Sequence, residues 1–188
     1  MTMPSIAVFC GARMGRDPRY ATEAAALGAA LAARGWTLVY GGGKVGLMGV
    51  LAQACLDAGG TVTGVIPGFL SSREVLHPGL QISHQVEDLF ERKALMIELA
   101  DAFVALPGGI GTLDELLEVM AWRQLGCIDK PVALLNTAGY FEPALRSLDH
   151  AIAEQFVDAS ERNRLLVADR LSDLLSTLDT LLPAEAEA

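Results

Sequence analysis

Short apolar runs alternate with helical patterns along nearly the whole chain. The runs are apolar throughout rather than at every second residue, as in strands of a parallel sheet that helices cover on both faces. They lie at residues 5–10, 36–40, 61–66, 102–106, 131–135 and 164–167. The helical patterns lie between them, at residues 18–34, 45–58, 86–100, 112–125, 141–156 and 170–181. This order predicts an α/β fold, a Rossmann-like, doubly wound parallel sheet flanked by helices.

The length of the chain, 188 residues, suits a single hydrophobic core. No repeat or internal linker divides the sequence. We therefore predict a single Rossmann-like domain over residues 1–182, followed by a flexible tail at residues 183–188. Residues 67–85 form the longest stretch without clear periodicity, and loops of that length are often functional.

The charge balance limits the kinds of partner. The chain carries 14 basic and 23 acidic residues, for a net charge of −9. A surface for DNA or RNA is normally basic, so nucleic acid is not a predicted partner. Backbone amides and one or two arginines can still bind a small phosphorylated ligand.

The sequence predicts neither a membrane segment nor an export signal. No apolar run approaches the roughly 18 residues that a membrane-spanning helix needs. The N-terminus lacks the basic segment of a signal peptide. Three widely spaced cysteines, Cys10, Cys55 and Cys127, are compatible with a reducing compartment. We predict a cytoplasmic protein.

Three glycine-rich segments follow predicted strands. They are CGARMG after the first strand, YGGGKVGLMG after the second and PGGIGT after the fourth. Ligands of doubly wound sheets collect at the carboxyl ends of the strands. Three such loops at one edge predict a shared pocket for an anionic ligand, with Gly11, Gly42 and Gly43 among its contacts.

The second glycine-rich segment contains GGGKVG at residues 41–46, which has the spacing of a dinucleotide-binding loop. That motif also needs an acidic residue about 20 positions later, near the end of the next strand. The next strand ends VTGVIPGF, without an acid, so NAD is not a predicted ligand. The alternative is close packing between strand and helix, which Gly46 and Gly49 would allow.

The segment PGGIGTLDE at residues 107–115 admits two interpretations. In the first, Thr112 is the N-cap of a helix and Glu115 completes a capping box, so both residues serve only the helix end. In the second, free amides at the helix start bind a phosphate, while Glu115 stays ionised beside the positive end of the helix dipole. This segment by itself does not decide between them.

Two adjacent cations, Arg92 and Lys93, interrupt the apolar rows of the predicted helix at residues 86–100. A structural interpretation pairs Arg92 with Asp88 one turn earlier and lets Lys93 extend to solvent. An unpaired cation among core residues is very costly, so we favour cations that face a pocket. Arg92 is then expected to point toward the edge of the sheet that carries PGGIGT.

No metal or redox cofactor is predicted. The three histidines form no metal-ligand pattern with neighbouring acids or cysteines. Schiff-base chemistry would have to use Lys44, Lys93 or Lys130, because the chain has no other lysine.

These motifs occur together in a known family. Between residues 5 and 157 the chain resembles the LONELY GUY family of cytokinin-activating nucleotide phosphoribohydrolases in the segments FCGARMG, YGGGKVGLMG, SRE, FERKALM and PGGIGTLDE. The resemblance implies cleavage of the N-glycosidic bond of plain or N6-prenylated adenosine 5′-monophosphates, which releases the free base and ribose 5-phosphate. It also implies an oligomer, most simply a homodimer, since many members are homodimers and others form larger assemblies.

The resemblance further implies roles for single residues. Arg92 and Glu115 match the catalytic pair of the family, Lys93 accompanies Arg92, and Glu74 of SRE matches a further substrate contact. The implied nucleotide-binding segment comprises Gly108, Gly109, Ile110, Gly111, Thr112, Leu113 and Asp114. The chain departs from the common pattern in GARMG, where a serine is frequent after the glycine, and in SRE, where a proline-led triplet is usual.

Two other functions stay open at this point. Similar folds serve non-enzymatic carriers of nucleotides or of molybdenum cofactor, which would bind a phosphorylated ligand without consuming it. Some members of the family have been labelled lysine decarboxylases, but no segment of this chain predicts a pyridoxal phosphate site. The pairing of Arg92 with Glu115 favours hydrolysis, because a carrier has little use for an acid beside a phosphate.

Overall fold

Seven strands form one parallel sheet in the computed structural model of the chain, which describes residues 3–70 and 76–182. The strands are β1 (Ser5–Phe9), β2 (Thr37–Tyr40), β3 (Val62–Pro67), β4 (Ile82–Val86), β5 (Ala102–Ala105), β6 (Val132–Leu135) and β7 (Leu165–Ala168). Their order across the sheet is β4-β3-β2-β1-β5-β6-β7, so the chain winds outward in both directions from β1. The predicted doubly wound α/β fold is confirmed. The predicted tail at residues 183–188 lies outside the described residues.

Helices cover both faces of this sheet. They are α1 (Arg19–Ala33), α2 (Gly46–Asp57), α3 (Leu89–Leu99), α4 (Ile110–Gln124), α5 (Glu142–Ala153), α6 (Ala159–Arg164) and α7 (Leu171–Leu181). One hydrophobic cluster packs α1, α2 and α7 against one face, and a second packs α3, α4 and α5 against the other. Successive residues of β1 enter opposite clusters, which explains why the central strands are apolar throughout. Within residues 3–70 and 76–182, no helix is both long and apolar enough to cross a bilayer.

The edge strand β4 is absent from the prediction, which left residues 67–85 without a regular element. It pairs in parallel with β3 along its whole length. Of its five residues, ISHQV, only Val86 is buried, because an edge strand has a partner on one side alone and here lies largely in solvent. Its sequence therefore lacks the apolar run that marks the central strands. The predicted helix over residues 86–100 is corrected accordingly and begins at Leu89.

The short helix α6 is likewise absent from the prediction, because its six residues, ASERNR, contain no apolar stripe. A buried arginine of α4 holds it in place. The Arg123 guanidinium, 3% exposed, donates hydrogen bonds to the carboxylate of Glu161 and to the backbone carbonyls of Glu161 and Arg164. Burial lowers the pKa of Arg123, and the nearby Glu161 carboxylate opposes that shift. This cluster connects α6 to α4.

We predict that replacing Arg123 by methionine lowers the free energy of unfolding by about 3 kcal/mol, because the buried Glu161 carboxylate loses its buried partner. Urea unfolding followed by circular dichroism measures the change. Arg19→Met is the matched control, since the Arg19–Asp17 ion pair lies on the surface and should contribute nothing measurable. Equal unfolding midpoints for the Arg123 variant and the unmodified chain would contradict this account.

Candidate active site

A cavity of about 640 Å³ lies at the carboxyl ends of β1, β2 and β5. Its walls come from the loop after β1, from Gly41 after β2 and from residues 107–112 after β5, with Arg92 of α3 and Tyr140 completing them. The strand order reverses at this point, because β2 lies on one side of β1 and β5 on the other. Doubly wound folds bind their ligands at this position.

Backbone hydrogen bonds connect the three glycine-rich loops. The amide of Gly11 donates to the carbonyl of Pro107 over 3.1 Å. The carbonyl of Gly11 in turn accepts from the amides of Leu47, at 2.9 Å, and Met48, at 3.3 Å. These two amides open α2, so the start of α2 is capped from within the protein. The three loops therefore form one unit around the cavity.

The start of α4 faces the cavity and differs from the prediction. The helix begins at Ile110 with Gly109 as its N-cap, and no side chain caps it. The first interpretation, a capping box with Thr112 as N-cap, does not hold, because the carbonyl of Gly109 already accepts from the amide of Leu113 and Thr112 lies inside the first turn. The amides of the first turn have no partner within the helix. They are available to an anion in the cavity.

Open space surrounds the backbone at this helix start. A side-chain Cβ atom placed on Gly109 or Gly111 would meet no heavy atom within 4 Å. A ligand can therefore approach the backbone closely at both positions. The helix start combines free donors with the room that a phosphate needs.

Arg92 of α3 and Glu115 of α4 meet in the same cavity. Nη2 of Arg92 lies 3.9 Å from Oε1 of Glu115 and donates to the carbonyl of Gly41 over 3.4 Å. The arginine is only 8% exposed, and its Nε has no hydrogen-bond partner among the described residues. Asp88 instead caps α3 by accepting from the amides at its start, so the cation faces the pocket as expected.

Gly41 makes room for this arginine. A Cβ atom at residue 41 would lie 1.9 Å from Nη2 of Arg92, well inside contact distance. The absence of a Cβ atom thus lets the guanidinium approach the backbone closely in this arrangement. GGGKVG also allows close packing, but against the loop after β1 and not against the strand as the alternative interpretation proposed, since a Cβ atom on Gly46 would lie 2.3 Å from the backbone of Ala12.

Other predicted contacts lie outside the cavity lining. Lys93 points away and forms ion pairs with Asp114, at 3.1 Å, and with Glu118. Leu113 packs against the hydrophobic cluster beneath α4. Periodicity placed Lys93 beside Arg92 in the core-facing rows, but its ammonium group pairs with the opposite charges on α4 instead of entering the cavity. Its predicted contact with substrate stays a prediction, as do those of Leu113 and Asp114.

In the glycine-rich loop after β2, two residues that are predicted to contact the substrate lie away from the cavity. Gly43 forms an antiparallel bridge with Leu76, and the carbonyl of Gly42 accepts from the amide of His77 over 3.0 Å. Both glycines therefore pack on the segment that precedes β4. Glu74, the remaining predicted contact, lies outside the described residues.

The cavity also contains side chains that the sequence analysis does not single out. Tyr20 of α1 and Tyr140 lie edge to face with their ring centroids 5.7 Å apart, and both line the cavity. Arg13 and Met48 line other parts of it. One signal could have found Tyr140, because NTAGY follows β6 and thus lies at the carboxyl edge of the sheet.

Cys10 lies in the cavity wall as a buried thiol. Burial strongly raises its pKa, the Glu115 carboxylate adds to this shift, and Arg92 opposes it. The thiol therefore stays protonated at neutral pH and is a poor nucleophile. Among the described residues, no group of three or more His, Cys, Asp or Glu side chains could hold a metal ion.

The sequence has similar relatives over nearly its whole length. A family model described as "Possible lysine decarboxylase" matches residues 48–178, most of the chain. A cytokinin riboside 5′-monophosphate phosphoribohydrolase from Rhodococcoides fascians is 47% identical over 178 residues, which cover 94% of this chain and 90% of the relative. A phosphoribohydrolase of the same description from Arabidopsis thaliana is 44% identical, with 95% of this chain and 84% of the relative covered. The chain belongs to the LONELY GUY family.

Solved structures resemble this LONELY GUY family chain in fold. The molybdenum cofactor carrier protein of Chlamydomonas reinhardtii has a TM-score of 0.74 at 24% identity, over 97% of this chain and 100% of the carrier. The molybdenum cofactor binding protein of Rippkaea orientalis has a TM-score of 0.72 at 21% identity, over 96% and 98%. At these identities the likeness shows a shared architecture and nothing more.

The description of the family model raises pyridoxal chemistry, which needs a lysine that forms a Schiff base. None of the three lysines of this LONELY GUY family chain is among the described residues that line the cavity. Lys93 forms the ion pairs given above, Lys130 donates to the carbonyl of Ile97 over 2.8 Å, and Lys44 is exposed. The cavity is built around an arginine and a carboxylate instead.

We predict that a thiol reagent at about pH 8 modifies one of the three cysteines in the native protein, because only Cys127 is exposed. Burial raises the pKa of the other two thiols, that of Cys55 to about 11, and only a thiolate reacts quickly. Mass spectrometry counts the modified sites. The control Cys127→Ser should react only after denaturation, and rapid native labelling of Cys10 would contradict the described cavity.

Proposed function

We propose that this chain hydrolyses the N-glycosidic bond of adenosine 5′-monophosphates, plain or N6-substituted, and releases the free base and ribose 5-phosphate. The observation that carries the proposal is the meeting of Arg92 and Glu115 in one cavity, beside an uncapped helix start. Relatives at 44–47% identity named cytokinin riboside 5′-monophosphate phosphoribohydrolases support it. Cytokinin nucleotides are the proposed N6-substituted substrates.

The phosphate of the nucleotide binds at the start of α4. Amides of residues 109–112 donate hydrogen bonds to its oxygens, and the positive end of the helix dipole attracts its charge. The hydroxyl of Thr112, in the same turn, supplements these donors. A local site of this kind works despite the net charge of −9, because backbone dipoles act at short range.

The sugar lies between the phosphate site and the catalytic pair. Breaking the bond from C1′ to the base nitrogen leaves an oxocarbenium-like sugar, as in glycoside hydrolysis generally. The Glu115 carboxylate stabilises that positive charge and orients the attacking water. Water supplies the hydroxyl at C1′, and the base leaves with a proton. These steps use no metal or redox cofactor.

Arg92 positions both the carboxylate and the substrate. Its Nη2 lies beside Glu115 and the carbonyl of Gly41, while its buried Nε has no partner among the described residues. A buried donor without an acceptor is costly. An oxygen or nitrogen of the bound nucleotide would satisfy it, so binding gains from a donor that is already in place.

We predict that Glu115→Gln lowers the rate of adenine release from AMP by about 10²- to 10³-fold, because the amide cannot stabilise the positive sugar. Chromatography of the reaction products measures the free adenine. Glu98→Gln is the matched control, since Glu98 is an exposed carboxylate of α3 and its variant should turn over normally.

Two outcomes would overturn the proposal. Undiminished turnover in the Glu115 variant would remove the carboxylate from the mechanism. Stoichiometric retention of intact AMP by the unmodified chain would favour a carrier, which binds a nucleotide without consuming it. If hydrolysis occurs without an advantage for N6-prenylated AMP, the activity is that of a general nucleosidase for monophosphates.

We also propose that the chain works as a homodimer in the cytoplasm. Phe90 on α3 and Ile110 and Leu117 on α4 are 76%, 88% and 60% exposed, and the ion pairs of Lys93 connect these two helices. Exposed apolar side chains grouped on one face support an interface. Homodimers are common in the LONELY GUY family, which supports the proposed dimer as well. An exposed free thiol at Cys127 suits a reducing compartment.

We predict that Leu117→Glu converts a dimer into a monomer, because a carboxylate at the centre of this face would lose its hydration on pairing. Light scattering coupled to size-exclusion chromatography measures the mass. Leu181→Glu is the control, since Leu181 is similarly apolar and exposed but lies on α7, across the sheet. A monomeric unmodified chain would refute the dimer.

A further inference from the structure

We infer that Tyr140 is a positioning residue for the phosphate-binding turn, an inference that rests on the proposed function. The hydroxyl of Tyr140 donates a hydrogen bond to the backbone carbonyl of Gly108. Gly108 directly precedes Gly109, the N-cap of α4. The phenol therefore holds the peptide group through which the chain enters the anion site.

The orientation of this peptide decides what a phosphate meets. The carbonyl of Gly108 and the amide of Gly109 belong to one planar group and point in opposite directions. Glycine on both sides leaves this peptide free to rotate, because neither residue has a Cβ atom to restrict it. A rotated peptide would present a carbonyl oxygen where the phosphate needs a donor. The hydrogen bond from Tyr140 selects the orientation that keeps the amide as donor.

A rigid turn presents the phenol to this carbonyl. The side chain of Asn136, at the end of β6, accepts from the amide of Phe141 over 2.8 Å. Its Nδ2 donates to the carboxylates of Glu142, at 3.0 Å, and Asp169, at 3.1 Å. These bonds hold both ends of the turn, so the side chain of Tyr140 projects from the turn in one fixed direction.

The same turn carries local strain. Ala138 has φ of 59°, in the left-handed region that a residue with a Cβ atom rarely adopts. The hydroxyl of Thr137 is buried and has no hydrogen-bond partner among the described residues. Strained residues persist where the surroundings over-determine them, often at functional sites. Here the strained turn holds an aromatic side chain against the ligand cavity.

Ring contacts fix the side chain itself. The ring of Tyr140 lies edge to face with Tyr20, at 5.7 Å, and with Phe141, at 5.1 Å. Its hydroxyl donates to the backbone of the phosphate-binding segment at Gly108, whereas the proposed chemical step uses the side chains of Arg92 and Glu115. Loss of the hydroxyl should therefore weaken binding of the phosphate and leave the chemical step intact.

Two of the three tyrosines of the chain supply a matched pair of variants. Tyr140→Phe removes the hydroxyl that bonds Gly108 and keeps the ring. Tyr40→Phe removes a hydroxyl that is buried, finds no partner among the described residues and does not line the cavity. Thermal unfolding of both variants establishes that they fold. Any difference between them then reports the hydrogen bond.

We expect Tyr140→Phe to raise KM for AMP about three- to tenfold, the loss of one neutral hydrogen bond, with kcat changed by less than about twofold. Competitive inhibition by ribose 5-phosphate should weaken by the same factor, because that product carries the phosphate. Inhibition by adenine, which has no phosphate, should stay unchanged. Tyr40→Phe should leave all of these constants as they are.

An unchanged KM together with unchanged inhibition by ribose 5-phosphate would overturn the inference. Equal weakening of inhibition by adenine and by ribose 5-phosphate would also overturn it, since that result indicates general loosening of the cavity. If the unmodified chain releases no adenine, the proposed hydrolysis fails on its own. The role of Tyr140 can still be decided in that case. Calorimetry would measure the dissociation constant of ribose 5-phosphate for the Tyr140 variant and for the unmodified chain, and their ratio would give the answer.

Discussion

A buried guanidinium governs the architecture of the cavity. Arg92 is almost enclosed, and a charge in that position is tolerable only when partners surround it. The Glu115 carboxylate and the carbonyl of Gly41 supply two of them. Glycine at residue 41 fits the same arrangement, because a Cβ atom there would lie 1.9 Å from Nη2 of Arg92 in its present position. The Nε of Arg92 is buried without a hydrogen-bond partner in the described part of the chain, and leaving such a donor unpaired is costly.

The sheet brings these groups together without contributing chemistry of its own. Its strand order reverses beside β1, so loops from distant parts of the chain meet at one edge. The molybdenum cofactor carrier of Chlamydomonas reinhardtii shares this architecture at 24% identity, and a shared fold does not by itself imply a shared function. In the present chain the side chains at that edge include a carboxylate and a guanidinium 3.9 Å apart, beside the start of α4.

Local patterns predict elements well where the protein interior imposes a pattern. The central strands are buried on both faces, and their apolar runs located them within a few residues. The edge strand β4 has little buried surface and left no such run. The T-x-x-E pattern at Thr112 fits a capping box, yet the helix starts earlier because Gly109 accepts its first hydrogen bond. A capping pattern shows only that its residues are compatible with a helix end. The same residues are compatible with more than one position for the start of the helix.

The sequence by itself determined the alternation of strands and helices, the glycine-rich loops at one edge and the two adjacent cations in core-facing rows, because each depends on spacing along the chain. Only the tertiary structure decided that Arg92 enters the cavity while Lys93 turns to the acids of α4. It alone brought Tyr140 to the carbonyl of Gly108. Distances between elements depend on how side chains pack across the sheet, and no local period contains that information.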